Sequence, residues 1–131
     1  VAISEDAGES WRRLEEFYNG SLFDIHRTQA GTLLVAGLRG NLFRSTDNGE
    51  TWQDIALPAS ATLNSIFEDD TGKLYLAGNA GTLLLSEDDG LNFVDQSQTD
   101  GRAVLNGLAI AEQVLLVTEA GVKLTTINKS E

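Results

Sequence analysis

The sequence predicts an all-β fold assembled from repeated units of four short antiparallel strands, and three observations predict it. An eight-residue phrase, Ser-x-Asp-x-Gly-x-x-aromatic, is written as SEDAGESW at 4–11, STDNGETW at 45–52 and SEDDGLNF at 86–93. The copies begin 41 residues apart, and a fixed period of roughly 20–50 residues is the mark of a repeat architecture. Between the copies, runs rich in Leu, Ile, Val and aromatics alternate with Gly, Asn and Asp, and no stretch keeps a helical rhythm past two turns.

Taken in order along one period, the elements follow from this punctuation. A first strand is expected near Leu22–Arg27, closed by the turn TQAG, and a second near Thr32–Ala36, closed by GLRG. A third near Asn41–Ser45 runs into the eight-residue box, and a fourth near Trp52–Ile55 leaves it. Four short strands in about 41 residues is the size of a propeller blade, whose repeats run about 40–45 residues. Outside the box the repeats align Leu22 with Leu63 and Leu105, Ile25 with Ile66 and Leu108, and Gly40 with Gly81 and Gly121. The chain reads as one domain over 1–131, with repeats 4–44, 45–85 and 86–125 and an eroded fourth box at 126–130.

The box has a physical reading of its own. Its Ser and Asp (Ser4 and Asp6, Ser45 and Asp47, Ser86 and Asp88) can accept hydrogen bonds from N–H groups that the turn would orphan. The fifth position (Gly8, Gly49, Gly90) suits a positive φ. The eighth (Trp11, Trp52, Phe93) returns the chain to the sheet and covers the turn with a ring. The strings TDNGE and EDDG are similar to the start of a calcium loop but keep no 12-residue spacing to a closing Glu, so the reading is a turn staple and no metal.

Three blades do not close a ring comfortably. Val1–Ile3 and Lys123–Thr125 both read as the strand leading into a box, one such strand too many, and closed propellers have about four to eight blades. The expectation is therefore a piece of a larger ring, or a unit that self-associates through its end blades. A six-bladed head-to-tail dimer, with WRRL completing the partner's last blade, is one such arrangement. The polar end NKSE reads as a native C-terminus, with the parent continuing upstream.

Composition narrows the function. With 9 Lys+Arg against 20 Asp+Glu the net charge is −11, which repels phosphate backbones, so no nucleic-acid partner is expected. There is no cysteine, hence neither a disulfide framework nor a thiolate metal site. The apolar runs TLLVAG and QVLLVT fall far short of the ~20 residues of a membrane helix.

At the box residues the chain resembles the Asp-box, or BNR, repeat of β-propellers. The longer copies AGLRGNLFRSTDNGETW and AGNAGTLLLSEDDGLNF are similar to the photosystem II assembly and stability factor family and its bacterial relatives outside photosynthesis. Phe93 departs from Trp, and the fourth box departs at three positions. The resemblance implies boxes at the blade periphery, no cofactor, and an exported setting, lumenal or periplasmic. It also implies a non-catalytic scaffold that holds a protein or peptide partner, including a subunit of a membrane complex.

The alternative is a fragment of a carbohydrate-active Asp-box enzyme with its catalytic residues on absent blades. A sialidase would need an arginine triad on separate blades and a Tyr nucleophile paired with Glu. Arg12, Arg13, Arg27, Arg39, Arg44 and Arg102 do not recur at equivalent places, and Tyr18 and Tyr75 occupy different repeat positions. Asp69-Asp70 and Asp88-Asp89 read as turn formers on a solvated surface. His26, whose counterparts are Phe67 and Ala109, reads as an imidazole without a partner. No catalytic residue is assigned. What remains is a binding surface on the loops EEFYNGS, LPASAT, QTDGRA, GLRG, GNAG and TEAG, expected to converge at one mouth of the channel. Repetition marks the framework, so the positions where repeats disagree are the candidates: Tyr18, Asn19, Arg39, Asn79, Arg102 and Glu119. Arg39 leads, as a cation in an acidic protein that can pair with a partner's carboxylate.

Overall fold

The computed structural model describes residues 2–13, 20–110 and 113–126. Thirteen strands are present among them. A pair, β1 (Ala2–Ile3) and β2 (Arg12–Arg13), brackets the first box. The first complete blade is the sheet β3 (Leu22–Arg27), β4 (Leu33–Gly37), β5 (Leu42–Ser45) and β6 (Gln53–Asp54). The second is β7 (Leu63–Glu68), β8 (Leu74–Gly78), β9 (Leu83–Ser86) and β10 (Val94–Asp95). A third sheet holds β11 (Val104–Ile110), β12 (Gln113–Thr118) and β13 (Gly121–Thr126). Every pairing is antiparallel between chain neighbours, the meander of a propeller blade. The box always joins a third strand to a fourth. β1 and β2 are therefore the third and fourth strands of a preceding blade, and among the described residues the third blade shows strands one to three.

The blades stack face to face because each sheet is apolar on both sides. Leu34, Ala36 and Leu42 of the first blade meet Ile66, Leu76 and Leu84 of the second in one buried cluster. Phe67, Tyr75, Leu83 and Leu85 meet Val104, Val114 and Leu116 in the next. The Phe67 and Tyr75 rings lie stacked with centroids 5.0 Å apart, and burial pushes the Tyr75 phenol up to about 12. Burying a Leu or Phe side chain contributes about 1.5–3 kcal/mol, so the two clusters are the main source of stability.

Within each complete blade the end of the second strand passes close against the residue that enters the first. A Cβ on Gly37 would sit 2.1 Å from the Ser21 carbonyl oxygen, and one on Gly78 would sit 2.3 Å from that of Thr62. Glycine is thus imposed by the neighbouring backbone. Each first strand also bulges just after its start, between Leu22 and Asp24, Leu63 and Ser65, and Val104 and Asn106. At the blade junction the Asp24 carboxylate accepts from the Ile66 backbone N–H at 2.7 Å.

Three sequence expectations need correction. The third blade's first strand aligns on Val104, which pairs with Thr118 as Leu22 pairs with Gly37 and Leu63 with Gly78. This is one residue earlier than Leu105, and it makes Leu108 rather than Ala109 the counterpart of His26. Gly121 is likewise not equivalent to Gly40 and Gly81: the last hairpin pairs Thr118 with Gly121 and turns in two residues where the others use three. Both slips arose because leucine and glycine recur often enough to align out of register. Finally, His26 has a partner: its Nε2 lies 2.8 Å from Glu68 Oε1 on the neighbouring blade, and the same carboxylate accepts the Gln29 N–H.

Candidate functional site

In a four-stranded meander the hairpins joining strands one to two and three to four share one end of the blade. The two-to-three hairpins and the linkers between blades share the other. The boxes and the variable loops therefore occupy opposite ends.

At the box end the three copies have one geometry. The Ser hydroxyl donates to the Asp carboxylate at 2.9, 2.8 and 2.8 Å and accepts the Gly N–H at 2.8, 2.9 and 2.9 Å. The Asp in turn receives the backbone N–H of the seventh residue, Ser10, Thr51 or Asn92, and that residue's side chain as well. Position four (Ala7, Asn48, Asp89) has φ 59–60°, and the glycines follow at 87–90°. The side chain and backbone of Thr51, then the Ser45 hydroxyl, hold the Asp47 carboxyl down at about 2. Ser10 and Ser4 lower Asp6 in the same way. Burial raises Asp88, but the bonds from Asn92 and Ser86 outweigh it and the net shift is downward. The Trp52 indole N–H closes the turn on the Gly49 carbonyl at 3.0 Å. The seventh residue escaped the sequence reading, although a small polar residue in all three copies was its signal.

The boxes also reach outward. Asp89 accepts from Arg44 Nη2 at 3.1 Å and from the Thr32 hydroxyl, while Arg44 Nε bonds the Asp89 carbonyl at 2.9 Å; both partners lie on the preceding blade. Glu50 in the second box meets Arg12 of β2 at 2.7 Å. Asp89 is thus a blade-to-blade tie and not only a solvated turn former. Asp69 does form its turn, accepting the N–H groups of Thr71 and Lys73 at 2.9 Å.

At the opposite end each two-to-three hairpin is tied to the start of its own blade: Leu38 N–H to Ser21 O, Asn79 N–H to Thr62 O, Glu119 N–H to Ala103 O, at 2.9–3.1 Å. Arg39 sits at the tip of the first hairpin with φ 60°, exposed and without an ion-pair partner among the described residues. Its counterpart on the second blade is Ala80. Asn79 is exposed, and its Oδ1 takes a 3.1 Å bond from Asn64, whose amide also reaches the Val104 carbonyl of the next blade. Arg102 lies on the linker beneath that hairpin, where Gln98 N–H bonds Gly81 O at 2.7 Å. Its backbone N–H and the Lys123 ammonium, 3.3 Å away, hold the Asp100 carboxyl below its usual range, leaving the Arg102 side chain exposed. Glu119 is exposed on the third blade. The fold brings Arg39, Asn79, Arg102 and Glu119 to one end across three blades; Tyr18 and Asn19 lie outside the described residues. Among the described residues no group of three or more His, Cys, Asp or Glu gathers as a metal site, and no helix is long and apolar enough to cross a membrane.

Comparison with known proteins agrees with this geometry. The BNR/Asp-box repeat model matches residues 43–54, the third strand, box and fourth strand of the first blade. A solved structure described as YCF48 bound to D1 peptide superposes with a TM-score of 0.77 at 20% sequence identity. The match covers 98% of this chain and 44% of that one, so the chain spans less than half of its length. No curated protein matches the chain by sequence. The chain has the fold of that structure, and its first complete blade carries a BNR/Asp-box repeat.

Proposed function

We propose that the chain is a non-catalytic scaffold that captures an extended peptide of a partner protein on the end of the blades bearing the variable loops. The observation that carries this reading is Arg39. A non-glycine residue held at φ 60° in a chain of net charge −11 presents a guanidinium with no ion-pair partner among the described residues, a fork suited to a carboxylate. Arg102 adds a second exposed cation, and Asn79 and Glu119 supply polar contacts on adjacent blades. The fold shared with YCF48, whose structure holds a D1 peptide, supports a peptide as the ligand class. The partner's belonging to a membrane complex, an exported setting and self-association through the end blades are parts of the same proposal.

The test is fluorescence anisotropy of labelled D1 peptide, and of a copy with its carboxylates amidated, against the chain and its Arg39→Glu and Arg102→Glu variants. Capture of the peptide, weakened at least tenfold by Arg39→Glu and by amidation, is the expected result. Undiminished capture by both charge-reversed variants removes this face from the proposal.

A further inference from the structure

At the end that carries the variable loops, the second blade differs from both of its neighbours. Each first strand has one extra residue at its bulge: Phe23, Asn64 and Leu105. Each two-to-three hairpin opens on the residue whose N–H reaches back to the start of its blade: Leu38, Asn79 and Glu119. Only on the second blade do both positions hold an amide, and the two amides are hydrogen-bonded to each other.

Chemistry fixes which way these amides point. Asn64 lies 3.0 Å from the Val104 carbonyl oxygen of the third blade; a carbonyl only accepts, so it is the Asn64 Nδ2 that faces it. The same nitrogen reaches Asn79 at 3.1 Å, where only an oxygen can receive its second N–H. Asn79 therefore turns Oδ1 toward Asn64 and Nδ2 away from it. Two groups remain without a partner among the described residues, the acceptor Asn64 Oδ1 and the donor Asn79 Nδ2. Asn79 is exposed, and Asn64 is half-buried against the third blade. The fold does not require this tie: Phe23 holds the same position at the first junction and donates nothing, yet those two blades share one core.

The amide pair lies between the two exposed cations. The hairpin bearing Arg39 packs at Gly40 on the linker that enters the second blade, where a Cβ would sit 2.8 Å from the Ala59 carbonyl oxygen. The hairpin bearing Asn79 packs at Gly81 on the linker that leaves it, where a Cβ would sit 2.5 Å from the Gln98 carbonyl oxygen and 3.3 Å from the Cα of Gly101, the residue before Arg102. The order across this end is Arg39, the amide pair, Arg102.

We propose that Asn64 and Asn79 grip the main chain of the peptide captured on this face. Asn79 Nδ2 donates to a peptide carbonyl, and Asn64 Oδ1 accepts a peptide N–H. In an extended chain the N–H and C=O of one residue point to the same side, so a single peptide residue satisfies both amides. Arg39 and Arg102 take carboxylates on either side, and the amide pair holds the backbone between them whatever its side chains. The inference rests on the capture reading above and adds Asn64, which lies on a strand and not on a loop.

Anisotropy with the labelled peptide of the preceding test decides it, using the full chain, its Asn79→Ala and Asn64→Ala variants, and copies of the peptide N-methylated at one residue at a time. Circular dichroism checks that the variants fold; Asn79 is exposed on a hairpin, so its variant carries the test if Asn64→Ala does not fold. Each variant is expected to bind about three- to tenfold more weakly, the net worth of one hydrogen bond. One N-methylated copy is expected to lose the same factor on the unmodified chain and nothing further on Asn64→Ala, a coupling that a merely structural amide would not produce. Undiminished binding by Asn79→Ala, or an N-methyl loss as large on Asn64→Ala as on the unmodified chain, overturns the clamp and leaves capture by the two arginines standing. Absence of capture by the unmodified chain overturns both.

Discussion

If the Asp-box is a hairpin staple whose strength depends on where it sits, one mutation made in three places should have unequal effects. Ser→Ala removes a hydroxyl that donates to the Asp carboxylate and accepts the glycine N–H, at nearly identical distances in each copy. Ser45 and Ser86 are 2% and 1% exposed, and Gly49 and Gly90 are buried. Their N–H groups would be left without partner or water, at a cost of about 1–3 kcal/mol each. In the first box Gly8 is exposed and water can replace the hydroxyl, leaving only the net value of a hydrogen bond, about 0.5–1.5 kcal/mol. The expected order is Ser86→Ala and Ser45→Ala well above Ser4→Ala, separated by about 1 kcal/mol, or roughly 3–5 °C in Tm for a chain of this size. Urea and thermal denaturation followed by circular dichroism would measure it. Equal losses at the three positions would refute the reasoning, because local geometry alone would then set the strength of the box.

Two further outcomes follow from the same contacts. The depressed Asp47 carboxyl, at about 2 against an ordinary 3.8, stabilises the fold fully above the unfolded pKa, and that stability is lost as pH falls through the folded one; Asp47→Asn should flatten the stability profile between about pH 4 and pH 2 in acid titrations. Asp89→Ala takes the carboxylate from Arg44, whose side chain is 11% exposed, leaving it only the backbone carbonyl at 89, and should cost about 1–3 kcal/mol, more than Asp70→Ala on the exposed neighbouring turn; equal melting points would deny the blade-to-blade tie.

Much of the fold was legible because the repeat states it several times. The expected strand Leu22–Arg27 is the observed β3, and the expected strands at 32–36, 41–45 and 52–55 differ from β4, β5 and β6 by one residue at most at each end. The blade phase was harder to read. The box divides the sequence conspicuously, yet it lies inside a blade, and the hydrogen-bonded sheets run from strand one to strand four across it. Nor could position Asp89 be separated from its neighbours by inspection. Its role depends on Arg44 and Thr32, 45 and 57 residues away in sequence.

What the sequence by itself determined is whatever a short segment settles internally: the hairpin chemistry of the box, the positive-φ glycine, the strand lengths and the period. These depend on groups within a few residues of one another, so local composition suffices. Tertiary structure decided which faces meet, that His26 finds Glu68, and that Gly37 and Gly78 must yield to a neighbouring backbone. It also decided that the variable loops gather at the end remote from the boxes. Those outcomes depend on register and stacking between segments separated by 16 residues, as for Ser21 and Gly37, to 42, as for His26 and Glu68. A shift of one residue in a strand sends every side chain to the opposite face, which is why Leu105 and Val104 could be told apart only by their partners across the sheet.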